Sequence, residues 1–306
     1  MKRNTAKIYK AEAPAKINVG LRILSKRKDG FHNLETIFYP VKLHDKIAVK
    51  IRKISDDTGV NRISVKTDSK ENISGKNNIC YKTAELFLAQ FKIAGSYNID
   101  ISIKKNIPTG AGLGGGSSDA AAVLKILYKH FQIGQKYFSN TSPKIQKNML
   151  KQVQHDKMFD LALQSGSDVP FFLLGKAAYA AGRGEKLTHL PEFKIKGKIL
   201  IVNPGIHIST PWAFKSLGVK GTKRKLLHRI KKYSPASNEL MINDFERIVF
   251  KKYPEIEKIK YEMLAFGAEY SLMSGSGSTV YGVFSSKDIR NAEKYFKLKK
   301  YRVFIS

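Results

Sequence analysis

The sequence predicts an α+β fold in two domains. Short alternating apolar segments crowd the first hundred residues, and helical periodicity enters only from Asn78 onward. Beyond that point strands and helices mix without a regular βαβ rhythm, which disfavours a doubly wound parallel sheet. A length of 306 residues suits two domains better than one. The division is expected at residues 1–175 and 176–306, because Gly175 to Gly184 is small and punctuated by glycine.

The elements follow in chain order. Ile8 to Ala13, Ala15 to Leu24, Thr36 to Val41 and Lys46 to Ile51 read as strands, with a turn at Lys28-Asp29-Gly30. Asn78 to Phe91 reads as a helix, since Ile79, Ala84, Leu86, Phe87 and Phe91 are apolar at helical spacing. Asn98 to Lys104 alternates as a strand, and after a glycine-rich turn Ser118 to Phe131 reads as a helix. Pro143 to Leu163 is helical and polar on one side. The second half opens with strand Lys198 to Val202 and the turn Asn203-Pro204-Gly205. Helices are expected at Trp212 to Leu217, Asn238 to Val249 and Glu255 to Phe266. Strands Glu269 to Met273 and Thr279 to Phe284 follow, then helix Lys287 to Phe296 and a last strand.

Composition narrows the classes. Hydrophobic residues at 42% are enough for a buried core, and no apolar run approaches the length that spans a bilayer. The basic start MKRNTAKIYK leads into no apolar stretch that would serve as a signal peptide, so a cytoplasmic protein away from membranes is expected. The single cysteine, Cys80, excludes an internal disulfide and reads as a small core residue. Lys and Arg outnumber Asp and Glu 55 to 25, a net +30 that attracts polyanions. Only 11 of the 55 are Arg, whose planar fork a phosphate-gripping site favours. The excess therefore reads as a lysine bias, and no nucleic-acid partner is expected. The basic stretch Gly218 to Tyr233 reads as a solvated face.

The chemistry concentrates in Gly110-Ala-Gly-Leu-Gly-Gly-Gly-Ser-Ser118, between a strand and a helix. It spells G-x-G-x-x-G, but no carboxylate follows about twenty residues on, as a dinucleotide site needs. Gly116 stands where a Walker loop needs Lys. A phosphate cradle of another type remains: glycines let backbone approach a ligand, and the following helix offers free N–H groups. A tight strand-to-helix turn is the plainer alternative. A second cluster, Ser274-Gly-Ser-Gly-Ser278, is either a hairpin loop or a second wall of the same site.

Three single residues add to this. Ile17, Val19 and Leu21 share one strand face, so Lys16, Asn18 and Gly20 share the other, where Lys16 and Asn18 form a binding pair or a solvated edge. Asp168, before the apolar run Val169-Pro-Phe-Phe172, is a turn cap or a general base. His32 follows a turn and is a structural residue or a ligand. No His, Cys or carboxylate cluster has metal spacing, and no G-x-S-x-G elbow occurs.

Together these segments resemble the GHMP family of small-molecule kinases. The loop here reads Pro108-Thr-Gly-Ala-Gly-Leu-Gly-Gly-Gly-Ser-Ser-Asp-Ala-Ala121. A-P-A-K-I-N, D-G-F-H, G-S-D-V-P-F-F, N-P-G with S-T-P, and S-G-S-G-S-T-V-Y flank it in family order from residue 13 to residue 284. They are most similar to the branch acting on a cytidine-diphosphate-linked methylerythritol. The resemblance implies an N-terminal ribosomal S5 domain 2-like domain, a C-terminal α/β-sandwich GHMP domain, and phosphorylation of that small molecule with ATP and Mg²⁺. It implies Lys16 and Asp168 as the catalytic pair. Pro108, Gly110, Gly112, Leu113, Gly114, Gly115, Gly116, Ser117 and Ser118 would wrap the triphosphate, with Asn78 and Ile79 near the adenine and Ser118 a candidate Mg²⁺ ligand. Asn18, Phe31, His32, Phe214, Gly275 and Gly277 would hold the substrate. Phe31 stands where the family usually has Tyr, keeping the ring and losing the hydroxyl, and Ser167 replaces a commoner Ala. Another small-alcohol kinase of the same fold, or a basic S5-like RNA-binding protein, are the competing readings.

Overall fold

The computed structural model describes residues 5–54, 59–69, 74–133, 157–218, 242–285 and 288–306. It divides into two compact units. The first comprises residues 1–13, 44–106 and 116–174; the second comprises 14–43, 107–115 and 175–306. Two long strands, β1 (Lys7–Lys26) and β2 (His32–Ile54), contribute to both and pair with each other. The chain passes between the units at Leu174–Gly175, and also at four earlier points.

Each long strand was expected as two short ones, with the first break at Pro14 and the second between Val41 and Lys46. Pro14 interrupts nothing because its nitrogen faces away from β2: two residues on, the Lys16 amide donates outward to the Leu113 carbonyl at 3.0 Å. Pro40 falls between the part of β2 paired with β5 (Ala178–Gly182) and the part paired with β4 (Ser96–Lys104). Neither proline removes a ladder bond, so both strands run through.

In the first unit β3 (Arg62–Thr67) runs parallel to β4, which runs antiparallel to the far half of β2. Ile47, Val49, Ile51, Ile99, Ile101 and Ile103 are buried, while Lys46, Lys50, Ser102 and Lys104 alternate with them on an exposed face. Helices α1 (Ile79–Gln90), α2 (Gly115–His130), α3 (Lys157–Ser165) and α4 (Val169–Leu174) complete the unit. Rings of Phe87, Phe91, Tyr128 and Phe131 lock α1 to the end of α2. The buried Asn78 side chain caps α1 by accepting from the Cys80 amide at 2.8 Å. Of the expected helix Pro143 to Leu163, residues 143–156 lie outside the described residues.

In the second unit the near half of β2 pairs with β5, and β5 with β6 (Lys186–His189). Gly175 to Gly184, expected as a boundary, thus contains a sheet strand; its small side chains read as linker in sequence. A four-stranded sheet in the order β10 (Arg302–Ile305), β7 (Lys198–Asn203), β9 (Val280–Phe284), β8 (Tyr270–Met273) is antiparallel throughout. One face carries Leu200, Val202, Met273, Val280 and Phe284 against helices α5 (Thr210–Leu217), α6 (Glu246–Lys252), α7 (Pro254–Ala265) and α8 (Ile289–Leu298). The other carries Ile199, Ile201, Leu272, Tyr281 and Val283 against Ala15, Ile17 and Val19 of β1. Leu21 departs from the expected alternation and joins the helical layer with Ile23. Gly20 sits between at φ +71°, a left-handed kink that turns the strand over.

The helix expected over Asn238 to Val249 begins only at Glu246, and residues 238–241 are outside the described residues. The Leu21 amide donates to the Ile242 carbonyl and the Asp244 amide to the Leu21 carbonyl, so this segment lies along the open edge of β1. Asn243 Oδ1 accepts from the Phe245 amide, an Asx turn that competes with helix at this point. The basic stretch 219–233 is outside the described residues.

Candidate active site

In the second unit β1 delivers Lys16 and Asn18 to one side, as the alternation requires, and both are buried. Lys16 Nζ donates to Asn18 Oδ1 at 2.6 Å and lies 4.7 Å from the centre of the Phe38 ring. Asn18 Nδ2 donates to Thr36 Oγ1 at 2.9 Å, and Thr36 Oγ1 donates to the Gly20 carbonyl at 2.5 Å. Thr36 has a single hydrogen, committed to Gly20, so it accepts from Asn18. The Asn18 amide is thereby oriented with its oxygen toward Lys16. Tyr281 Oη also donates to the Asn18 carbonyl at 3.1 Å.

The two glycine clusters meet in the same unit. Ser274 Oγ donates to the Gly112 carbonyl at 2.9 Å, and the Thr279 amide donates to that of Ala111 at 3.4 Å. A Cβ on Gly112 would stand 2.0 Å from the Ser274 carbonyl oxygen, and one on Gly275 would be 3.1 Å from Gly112 and 3.5 Å from Asn18 Oδ1. Gly110, Gly112 and Gly114 all have positive φ. Asn243 Nδ2 donates to the Met273 and Gly275 carbonyls at 2.7 and 2.8 Å, and Asn203 Nδ2 to the Thr279 hydroxyl at 3.1 Å. These two buried asparagines hold the second loop in place.

His32 stacks on Phe214, with ring centres 4.4 Å apart and 14° between planes. Burial, followed by the charge of Lys26, lowers the His32 pKa, so the imidazole is neutral near pH 7. Phe31 is half exposed and carries the Arg183 guanidinium 4.5 Å above its ring. The ring that meets Phe214 is thus His32.

In the first unit Ile79 lies next to Gly116 and Gly166: Cβ atoms built on those glycines would fall 3.6 and 3.4 Å from its methyls. The Gly166 Cβ would also fall 3.7 Å from Ser117 Oγ, so the turn leading to Asp168 adjoins the start of α2. Asp168 is half-buried and directly precedes α4. Ser118 is buried, and its hydroxyl has no hydrogen-bond partner among the described residues. Cys80 is buried, which pushes its thiol well up and leaves it inert. Among the described residues no group of His, Cys, Asp and Glu forms a metal cage, and no helix is long and apolar enough to cross a membrane. A trough of about 790 Å³ on the exposed sheet face is lined by Lys10, Lys46, Lys66 and Lys104, among others, and by none of the candidate site residues.

Sequence reasoning missed Thr36, Asn203, Asn243, Tyr281 and Arg183. Thr36 sits opposite Asn18 only because β1 and β2 form a hairpin, and the asparagines reach a loop distant in sequence, Asn243 through backbone carbonyls and Asn203 through hydroxyls. Neither relation leaves a local motif.

Residues 78–176 match the family model for the N-terminal domain of GHMP kinases, and residues 219–302 match that for their C-terminal domain. A 4-diphosphocytidyl-2-C-methyl-D-erythritol kinase of Cytophaga hutchinsonii is 38% identical over 278 residues, 89% of this chain and 91% of the relative. The kinase of the same name from Methylacidiphilum infernorum is 38% identical over 292 residues, 94% of this chain and 90% of the relative. A crystal structure of 4-(cytidine 5'-diphospho)-2C-methyl-D-erythritol kinase superposes with a TM-score of 0.74 at 29% identity, covering 97% of this chain and 98% of that one. A homoserine kinase structure from Cytophaga hutchinsonii, at TM-score 0.63 and 15% identity over 100% of this chain and 95% of its own, shares the fold alone. The chain belongs to the GHMP kinases and, within them, to the family of 4-diphosphocytidyl-2-C-methyl-D-erythritol kinases.

Proposed function

We propose that the chain transfers the γ-phosphoryl group of ATP to the 2-hydroxyl of 4-diphosphocytidyl-2-C-methyl-D-erythritol, a step of non-mevalonate isoprenoid synthesis. The observation that carries this reading is 38% identity to relatives of that name along about nine-tenths of both chains. The His32–Phe214 ring pair supports the cytidylated substrate over a small alcohol, because an aromatic surface made of an imidazole and a phenyl ring suits a planar, uncharged nucleobase.

Asp168 takes the proton of the 2-hydroxyl as its oxygen attacks the γ-phosphorus. The bond from phosphorus to the β-phosphate bridging oxygen breaks, and ADP leaves with that electron pair. Lys16 neutralises charge on the transferred group, and the Asn18–Thr36–Gly20 relay holds its ammonium still, so little reorganisation is needed at the transition state. The backbone of Gly114 to Gly116 and the free N–H groups that open α2 receive the triphosphate, with Asn78 and Ile79 toward the adenine. Mg²⁺ supplies further neutralisation of the triphosphate when bound. The buried Ser118 hydroxyl, without a hydrogen-bond partner among the described residues, would fit it as a ligand, with the nucleotide's own oxygens providing most of the rest.

The test is ADP release with the cytidylated alcohol against homoserine, mevalonate and a sugar, for the wild-type chain and Asp168→Asn. Turnover is expected with the cytidylated alcohol only, falling at least ~100-fold in Asp168→Asn. Absence of that turnover would sink the substrate assignment. Undiminished turnover in the variant would sink the base.

A further inference from the structure

Lys105 and Asp119 bracket the glycine-rich loop. Lys105 ends the run out of β4, and Asp119 is near the beginning of α2. Lys105 Nζ donates to Asp119 Oδ2 at 2.8 Å and to Asp45 Oδ2 at 2.5 Å. Asp45 also accepts from the Asn106 amide at 2.6 Å, and Asn106 Nδ2 donates to the His44 carbonyl at 2.8 Å. Asp68 accepts from the Lys105 amide at 2.8 Å. Asp45 is fully buried, Asp119 is 3% exposed and the Lys105 side chain 8%.

Two carboxylates sharing one ammonium in the interior make a poor stabilising device. Desolvating three charges costs more than the pairing returns, and apolar replacements of such groups are often neutral or stabilising. What the arrangement does supply is geometry. A single ammonium joins the entry stem of the loop, its exit stem and β2. We propose that Lys105, Asp45 and Asp119 form a clamp across the stems of the glycine-rich loop. The clamp fixes where α2 begins and hence where its free N–H groups meet the nucleotide. These three are positioning residues, acting on ATP through the backbone of Gly115 to Ser118. The buried Ser118 hydroxyl and Asp119 Oδ1, both without hydrogen-bond partners among the described residues, lie at the point that the clamp holds. The inference rests on the reading that this loop receives a triphosphate.

The experiment compares the wild-type chain with Asp119→Leu, which keeps the branching at Cγ and removes the bond, and Asp119→Asn, which keeps an acceptor for Lys105. Steady-state KM for ATP, KM for the cytidylated alcohol, kcat and the urea midpoint are read for each. Asp119→Leu is expected to raise KM for ATP about tenfold, the scale of one lost charge-assisted bond, while KM for the alcohol stays within about twofold. Asp119→Asn should restore KM for ATP to within about threefold of wild type. A folded Leu variant with unchanged KM for ATP overturns the clamp. So does an equal rise in both KM values, or an Asn variant as impaired as Leu. Failure of the Leu variant to fold also overturns it, since the cluster would then be holding the fold. Failure of the functional reading itself shows separately, as wild-type protein without turnover.

Discussion

Gly112→Ala tests whether the two glycine loops are welded to each other or merely adjacent. The added Cβ would stand 2.0 Å from the Ser274 carbonyl oxygen, 2.9 Å from its carbon and 3.2 Å from the Gly277 carbonyl oxygen. All three are backbone atoms, so no flexible side chain can swing aside. Relief requires the loops to separate, which breaks the bonds from Ser274 Oγ to Gly112 and from the Thr279 amide to Ala111. Two lost bonds cost about 1 kcal/mol each. Gly112 has φ +75°, where an L-residue pays about 1–2 kcal/mol more. The total, roughly 3–4 kcal/mol, is a large share of the stability of an ordinary domain.

Gly30→Ala is the matched control. Gly30 has φ +83°, and nothing lies within 4 Å of its would-be Cβ, so only the conformational penalty of about 1–2 kcal/mol applies. Urea unfolding of both variants isolates the cost of the loop contact as their difference, about 2 kcal/mol. Kinetics should separate them as well. Gly112→Ala displaces Gly275 from beside Asn18 and should lower kcat/KM, whereas Gly30→Ala should leave kcat near wild type. Equal destabilisation by the two substitutions would refute the weld.

Two further outcomes follow from named groups. Thr36→Val removes a hydroxyl at constant shape and leaves Asn18 Nδ2 buried without an acceptor; at about 1–3 kcal/mol, kcat should fall tenfold or more while KM for ATP holds. Unchanged kcat in a folded Thr36→Val chain would remove the relay from the mechanism. The second concerns Asp119, whose carboxyl is pushed up to about 7, first by burial and then by Asp45, with Lys105 pulling it back. Its folded pKa lies above the unfolded value of about 3.9, so the folded chain binds the extra proton. Stability from this group is therefore present at low pH and lost as pH rises from about 4 through 7, by a few kcal/mol at most. Urea midpoints of wild type and Asp119→Asn, taken from pH 5 to pH 8, should converge at the acid end and favour the variant at the alkaline end. Parallel curves would contradict this.

Side-chain alternation made much of the site legible in the sequence. Lys16 and Asn18 lie on one face of β1 because Ile17 and Val19 occupy the other. Three glycines of the loop, Gly110, Gly112 and Gly114, have the positive φ that such a run of glycines suggests. What stayed hidden depends on partners distant in sequence. Leu21 left the expected face because Gly20 twists the strand, an event that glycine permits in sequence and does not announce. Pro14 fell in an expected break between strands because a sequence does not show which strand edge lacks a partner. The segment at 242–244 carried a helical pattern, yet Asn243 spends its side chain on the second glycine loop.

Burial gives the net charge of +30 its meaning. Forty-four lysines are indistinguishable by type, and a compositional bias accounts for an exposed one without further cause. It does not account for a buried one, since taking an ammonium out of water costs several kcal/mol unless fixed acceptors replace the water. Lys16 is the one lysine in the buried class among the described residues, and Lys105 has a side chain nearly as enclosed. Each is held by buried polar groups, Asn18 in one case and two aspartates in the other. The lysines around the trough on the open sheet face have no such arrangement: Lys46 stands directly opposite Lys104 across the β2–β4 ladder, where like charges repel. That pairing is what indifferent accumulation of lysine on a solvated face produces. Desolvation cost therefore sorts the same residue type into two populations, and it sets Lys16 and Lys105 apart from the solvated lysines as the two enclosed ammonium groups held by buried acceptors.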